Sequence, residues 1–253
     1  MPQLLVINPN TTQEITDKVA NAISALAPAG LSMVARSGAF GPRYIASRAT
    51  FAVAGHAALD AFANHGAEAD AVLLACFGDP GLDALREVSS VPVIGLIEAA
   101  VAAALARGKN YSIVTGGELW RDMLRESLTQ RGLTGSLASI KTVAPTGGQI
   151  AADPEGAIDV LAQACKSAAQ EDGADTVILG GAGLVGLASR IEARANIPVI
   201  CSVEAGAHAA FKALATREAN MRRVADAPAI DSIGLSRALS SLLEGSSPGK
   251  EPS

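Results

Sequence analysis

Ala69-Asp70-Ala71-Val72-Leu73-Leu74-Ala75-Cys76-Phe77-Gly78 and Ala174-Asp175-Thr176-Val177-Ile178-Leu179-Gly180-Gly181-Ala182-Gly183 read as one stretch written twice, 105 positions apart. Each copy enters on Ala-Asp, runs on as a short continuous apolar segment, and ends in small residues where a strand gives way to a helix. Apolar runs of this length suit strands buried on both faces, as in a parallel sheet between helical layers. The first copy places the thiol of Cys76 at the turn, and the second places Gly181 there.

Two further echoes keep nearly the same spacing. Val91-Pro92-Val93-Ile94-Gly95-Leu96-Ile97-Glu98 returns 106 positions on as Ile197-Pro198-Val199-Ile200-Cys201-Ser202-Val203-Glu204, and Leu5-Val6-Ile7-Asn8 is matched 107 positions on by Ser112-Ile113-Val114-Thr115. Near-equal offsets predict two βα-repeat halves related by a pseudo-twofold. The expected fold is α/β: two pseudo-symmetric three-layer domains with mainly parallel sheets and the active site in the cleft between them. The expected domains are 1–97 together with 207–243, and 98–206, followed by a disordered tail over 244–253. In this arrangement Cys76 faces Gly181, and Asn8 faces Thr115.

Composition fits that layering. The 253 residues are 49% hydrophobic but only 3% aromatic, so Ala, Leu, Ile, Val and Gly must do the packing. A net charge of −5 without any Lys or Arg block argues against a nucleic-acid partner and for a small molecule. Residues 91–106 are rich in Ala and include Glu98, short of the roughly 20 strongly apolar residues a bilayer span needs, so no membrane segment is expected. The amino end has no signal-like pattern and the cysteines number three, which predicts a cytoplasmic chain with reduced thiols.

In chain order, 4–7 reads as a strand, and Asn8-Pro9-Asn10-Thr11-Thr12 as a turn leading into an amphipathic helix over 15–26. Ligands of parallel α/β sheets lie beyond the carboxyl ends of the strands, so Asn8, Asn10 and Thr11 are placed either to bind an anion or simply to cap the helix. The loop over 38–45 is able to close over a site, with Tyr44 and Ser47 as its expected polar contacts. Cys76 precedes Phe77-Gly78-Asp79-Pro80-Gly81, a loop suited to aim backbone N–H groups at a ligand, and such a setting is expected to lower a thiol pKa. The alternative is a small buried hydrophobe. Cys165 lies at helical spacing from Ile158, Leu161 and Ala168 and reads as core. Cys201 ends a strand where the other half has Gly95; it is placed to reach the same crevice or to serve as a buried spacer. His56, His65 and His208 have no metal-ligand spacing, and Gly180-Gly181-Ala182-Gly183 lacks a dinucleotide register, so no metal and no cofactor are expected.

Together, Ile7-Asn8-Pro9-Asn10-Thr11-Thr12, Cys76-Phe77-Gly78-Asp79-Pro80-Gly81, Gly181-Ala182-Gly183-Leu184 and the Pro-Val-Ile segments resemble the aspartate/glutamate/hydantoin racemase superfamily. The hydantoin and allantoin racemase branch is the most similar. The resemblance runs through nearly all of the chain up to residue 243. It implies cofactor-free proton transfer at Cα by two cysteines on opposite faces of the substrate, and a homo-oligomer. Cys76 matches the first cysteine, and Asn8, Phe77, Gly78, Thr115, Gly116, Ala182 and Gly183 match the anion pocket. Gly181 stands where the second cysteine belongs. Three readings follow. The chain is a racemase or epimerase of a small amino acid or hydantoin-like ring in which Cys201 or a water replaces the second thiol. Alternatively it is a single-cysteine decarboxylase, lyase or isomerase of a small carboxylate, or a non-catalytic protein that binds a small anion.

Overall fold

The computed structural model describes residues 1–216 and 230–244; the expected tail from residue 245 onward lies outside them. The first half runs β1 (Gln3–Asn8), α1 (Gln13–Leu26), β2 (Ser32–Ser37), α2 (Arg48–His65), β3 (Ala71–Leu74), α3 (Leu82–Val88), β4 (Val93–Gly95) and α4 (Leu96–Leu105). The second continues with β5 (Tyr111–Gly116), α5 (Trp120–Gln130), β6 (Leu137–Val143), α6 (Gly147–Ala152), α7 (Pro154–Asp172), β7 (Thr176–Leu179), α8 (Ala188–Ala195), β8 (Val199–Cys201) and α9 (Ser202–Thr216). The last described helix is α10 (Arg237–Leu243). No helix among the described residues is long and apolar enough to cross a membrane.

The strands form two all-parallel four-stranded sheets, ordered β2-β1-β3-β4 and β6-β5-β7-β8. The same order in both follows from the repeated strands, with β3 and β7 carrying the paired motifs. In register, Leu74 lies beside Gly95 and Leu179 beside Cys201, so the loops after β3 and β7 open next to the helix that follows the neighbouring strand. Val72, Leu73, Leu74, Val177, Ile178 and Leu179 are all buried because helices cover both faces.

Small side chains bring these layers together. Helix α2 buries Ala54, Ala57, Ala58, Ala61 and Ala63, and α4 packs against α9, joining the halves. At that crossing Gly206 faces Leu96 and Leu73 so closely that a Cβ on it would overlap Leu96 and come within 3.0 Å of Leu73 Cδ1. Cys165, mid-way along α7, is fully buried, and burial raises its pKa to about 12, as befits a core residue.

Two helices escape the periodicity reading. Helix α6 is too short for a period to emerge, although Thr146 and Gln149 form a reciprocal capping box that spells its start. Helix α8 carries only Ala188 and Ile191 plus Ala195 on its buried face and stops at Asn196 in the left-handed region.

Candidate active site

The loops after β1, β3, β5 and β7 meet at a cavity of about 50 Å³, room for a few waters and hence for a small ring or acid rather than a polymer. Cys76, Phe77, Tyr44 and Asn10 line it from the first half, and Thr115, Gly147 and Gly181-Ala182-Gly183-Leu184 from the second, with Ile15, Ile45 and Trp120 completing the wall. The expected residues Cys76, Phe77, Tyr44, Thr115, Gly181, Ala182 and Gly183 are therefore brought together.

Each lining group is held by a specific contact. Trp120 Nε1 donates to the Ile45 carbonyl at 3.2 Å, pinning the 41–47 loop. Tyr44 Oη accepts the Gly147 N–H at 2.9 Å, so this first-half side chain spans to the second half. Thr115 donates to the Gly180 carbonyl at 2.7 Å. The Phe77 ring packs against Gly180, where a Cβ would overlap it. Gly181 has φ 134°, a conformation that side chains other than glycine rarely adopt, and its N–H donates to Ser202 Oγ at 3.3 Å.

Six expected residues lie elsewhere. Asn8 is completely buried and does not line the cavity; its Nδ2 donates to Asn10 Oδ1 and to Thr16 Oγ1, both at 2.9 Å, which orients Asn10. Asn10 Oδ1 also accepts the Thr12 N–H at 2.9 Å, which leaves Asn10 Nδ2 as the group without an acceptor among the described residues. Thr11 ties its N–H to the Pro42 carbonyl at 3.1 Å. Ser47 caps α2, its Oγ accepting the Thr50 N–H at 3.2 Å while Thr50 Oγ1 accepts the Ser47 N–H at 2.9 Å. Gly78 is packed under Trp120, with 2.6 Å from a built Cβ to the ring, and Gly116 under the Pro145 carbonyl at 2.5 Å.

Cys201 is the main correction. Its sulfur does not line the Cys76 cavity; it accepts the backbone N–H groups of Val203, Glu204 and Gly186, serving as the cap of α9, and burial raises it to about 11. The thiol of Cys76 differs from expectation too. Burial, then the Asp79 carboxylate, push its pKa up, not down.

Asp79 is the residue whose importance sequence reasoning missed. It is 2% exposed, has φ 56°, and caps α4: Oδ1 accepts the Leu96 N–H at 2.7 Å and Oδ2 the Ile97 N–H at 3.1 Å. Its own N–H donates to the Cys76 carbonyl at 3.0 Å. Burial raises its pKa to about 7 against the opposing pull of Arg131 and the two amides. The Asp-Pro-Gly sequence marks a turn, but nothing local reveals that the carboxylate reaches a helix 17 residues on.

A model of the family described as Asp/Glu/Hydantoin racemase matches residues 4–210. A hydantoin racemase from Paenarthrobacter aurescens is 38% identical over 212 residues, covering 82% of this chain and 89% of that protein. A hydantoin racemase from a Pseudomonas species is 33% identical over 205 residues, 81% of this chain and 82% of that one. Among solved structures, allantoin racemase from Klebsiella pneumoniae superposes with a TM-score of 0.85 at 27% identity, covering 94% of this chain and 99% of that one.

Proposed function

The chain belongs to the Asp/Glu/hydantoin racemase family, as an isomerase of the racemase type, and from that premise we propose that it inverts a hydantoin-like ring by proton transfer at Cα through Cys76. The single observation that carries this reading is a buried thiol lining a small cavity to which the second half brings the repeat-equivalent Gly181. A Cα proton flanked by ring carbonyls is acidic enough for a thiolate once the resulting enolate is stabilised. Asn10 Nδ2 is a donor for a substrate oxygen, fixed by the bonds on its Oδ1. The backbone amides of Phe77, Ala182 and Gly183 are further candidates on the two loops. Relatives named for hydantoin and allantoin make a five-membered ring with adjacent carbonyl and N–H groups the first substrate class to test.

Proton NMR in D₂O with enantiopure 5-substituted hydantoins, allantoin, aspartate and glutamate tests it. Loss of the Cα signal with inversion is the expected result, and Cys76→Ala is expected to abolish the inversion. Absence of exchange with every compound refutes the racemase reading. A second reading rests on the cavity holding one thiol and not two: a malonate-type acid loses carbon dioxide, and Cys76 protonates the enolate left behind on one face. Carbon dioxide release from a 2-substituted malonate distinguishes it.

A further inference from the structure

Inversion needs a proton-transferring group on each face of Cα, and with Cys201 facing α9 the group opposite Cys76 has to come from elsewhere. Of the fourteen residues that line the cavity, Cys76 and Tyr44 alone carry a thiol or a phenol; the others are aliphatic, aromatic hydrocarbon, indole, amide, alcohol or glycine. We propose that Tyr44 is the second proton-transferring group, acting on the substrate face opposite Cys76. This rests on the racemase reading above.

The position of the phenol supports the role. Tyr44 belongs to the first half, but its hydroxyl is anchored by the Gly147 N–H at 2.9 Å. Gly147 in turn packs against Gly183, whose built Cβ would stand 2.5 Å from the Gly147 carbonyl oxygen. The hydroxyl is thus held against the wall that contains Gly181-Ala182-Gly183, where the family's second thiol is missing. Because the oxygen accepts from Gly147, its hydrogen is the free part of the group, and it donates no hydrogen bond among the described residues. Burial raises the Tyr44 pKa against the opposing pull of the Gly147 N–H and the Trp120 side chain, and a negative charge on Cys76 adds to the rise.

The steps balance. Loss of one proton from the pair to solvent leaves the Cys76 thiolate with the Tyr44 phenol. The thiolate takes the Cα proton, the C–H bond breaks as S–H forms, and the electron pair moves onto the adjacent carbonyl oxygen. That pair returns to carbon as the Tyr44 O–H breaks, and the new C–H bond forms on the opposite face, leaving a phenolate. The opposite enantiomer runs the same path backwards, with phenolate as base and thiol as acid.

The test uses D- and L-5-benzylhydantoin in D₂O against an enzyme-free control, following Cα–H loss by NMR and configuration by chiral chromatography. Tyr44→Phe keeps the ring and removes one oxygen. It is expected to slow inversion by at least about a hundredfold while one enantiomer still exchanges its proton with retention. Cys76→Ala is expected to spare exchange only in the other enantiomer. Inversion by Tyr44→Phe near the wild-type rate overturns the proposal and leaves the racemase reading intact, as does equal loss of exchange from both enantiomers in a folded Tyr44→Phe protein. Wild-type protein that neither exchanges nor inverts overturns the racemase reading and this proposal with it.

Discussion

Replacing Asp79 with Asn should change how stability depends on pH, in a direction opposite to that of most carboxylates. Asp79 is an acid whose pKa rises from 3.8 to about 7 because burial outweighs its two amide bonds and Arg131. The native chain therefore holds a proton on it at pH values where the unfolded chain has lost one. Its contribution is fully present below about pH 4, is lost as pH rises toward 7, and is constant above that. Between pH 5 and pH 8 the loss spans the two units up to 7, at about 1.4 kcal/mol each, or ~3 kcal/mol in all. Asp79→Asn has no proton to lose and keeps one acceptor for the α4 amides, so every other titration cancels in the difference between the two proteins. Urea unfolding followed by circular dichroism at pH 5 and pH 8, extrapolated linearly to water, measures it. The variant is expected to gain ~3 kcal/mol on the wild type across that interval. A difference independent of pH, or a wild type that gains with rising pH, would show that the α4 amides and Arg131 hold the carboxylate ionised and would refute the burial argument.

Three further outcomes follow from the same contacts. Ser47→Ala removes the α2 cap and should lower unfolding free energy by about 1 kcal/mol, while leaving Cα exchange at the wild-type rate because Ser47 lies off the cavity; slowed exchange in the NMR assay would restore it to the site. Cys201→Ser retains an acceptor for the N–H groups of Val203, Glu204 and Gly186, so inversion and exchange should both persist, and loss of inversion alone would reinstate Cys201 as an acid. Gly180→Ala drives a methyl into the Phe77 ring at a cost of about 1–3 kcal/mol and displaces the cavity wall, so both the melting temperature and the exchange rate should fall.

The fold was legible because its signals repeat. Three motif pairs at nearly one spacing require two equivalent halves, and the buried runs around Leu73 and Ile178 require parallel strands covered on both faces. The site was legible where a residue sits at the tip of a β-strand on the cleft side, as Cys76, Thr115 and Gly181 do. It was not legible where a side chain turns away from the tip. Asn8 and Asn10 are two residues apart and chemically identical, yet only Asn10 lines the cavity, because Asn8 is drawn inward by Thr16 one helical turn into α1. Such a choice depends on contacts between elements that no local pattern contains.

The same blindness explains Cys201, and its resolution makes the cavity electrically lopsided. After each Pro-Val-Ile strand a helix begins, and its first N–H groups need acceptors. In the first half Asp79 supplies them, which requires Gly95 at the strand end, since a Cβ there would stand 2.6 Å from Asp79 Oδ2. In the second half the position equivalent to Asp79 is Leu184, which has no acceptor, and the strand end carries Cys201 in place of glycine to do the capping. Among the described residues, the Asp79 carboxyl, ionised above about pH 7, therefore stands beside Cys76, while its equivalent Leu184 offers no carboxyl beside Gly181. Negative charge developing on a substrate oxygen is better accommodated at the second wall, away from Asp79. Leu184→Asp would remove that difference: a carboxylate about 6 Å from the developing charge, at an effective dielectric of about 20, costs ~3 kcal/mol, or about a hundredfold in rate. Leu184→Asn controls for shape and polarity without the charge. Exchange slowed strongly by Asp and only mildly by Asn, with the gap narrowing as the pH is lowered through the new carboxyl's pKa, is the expected pattern. Equal slowing by both would mean that Leu184 matters as packing and that the asymmetry of the two caps has no bearing on catalysis.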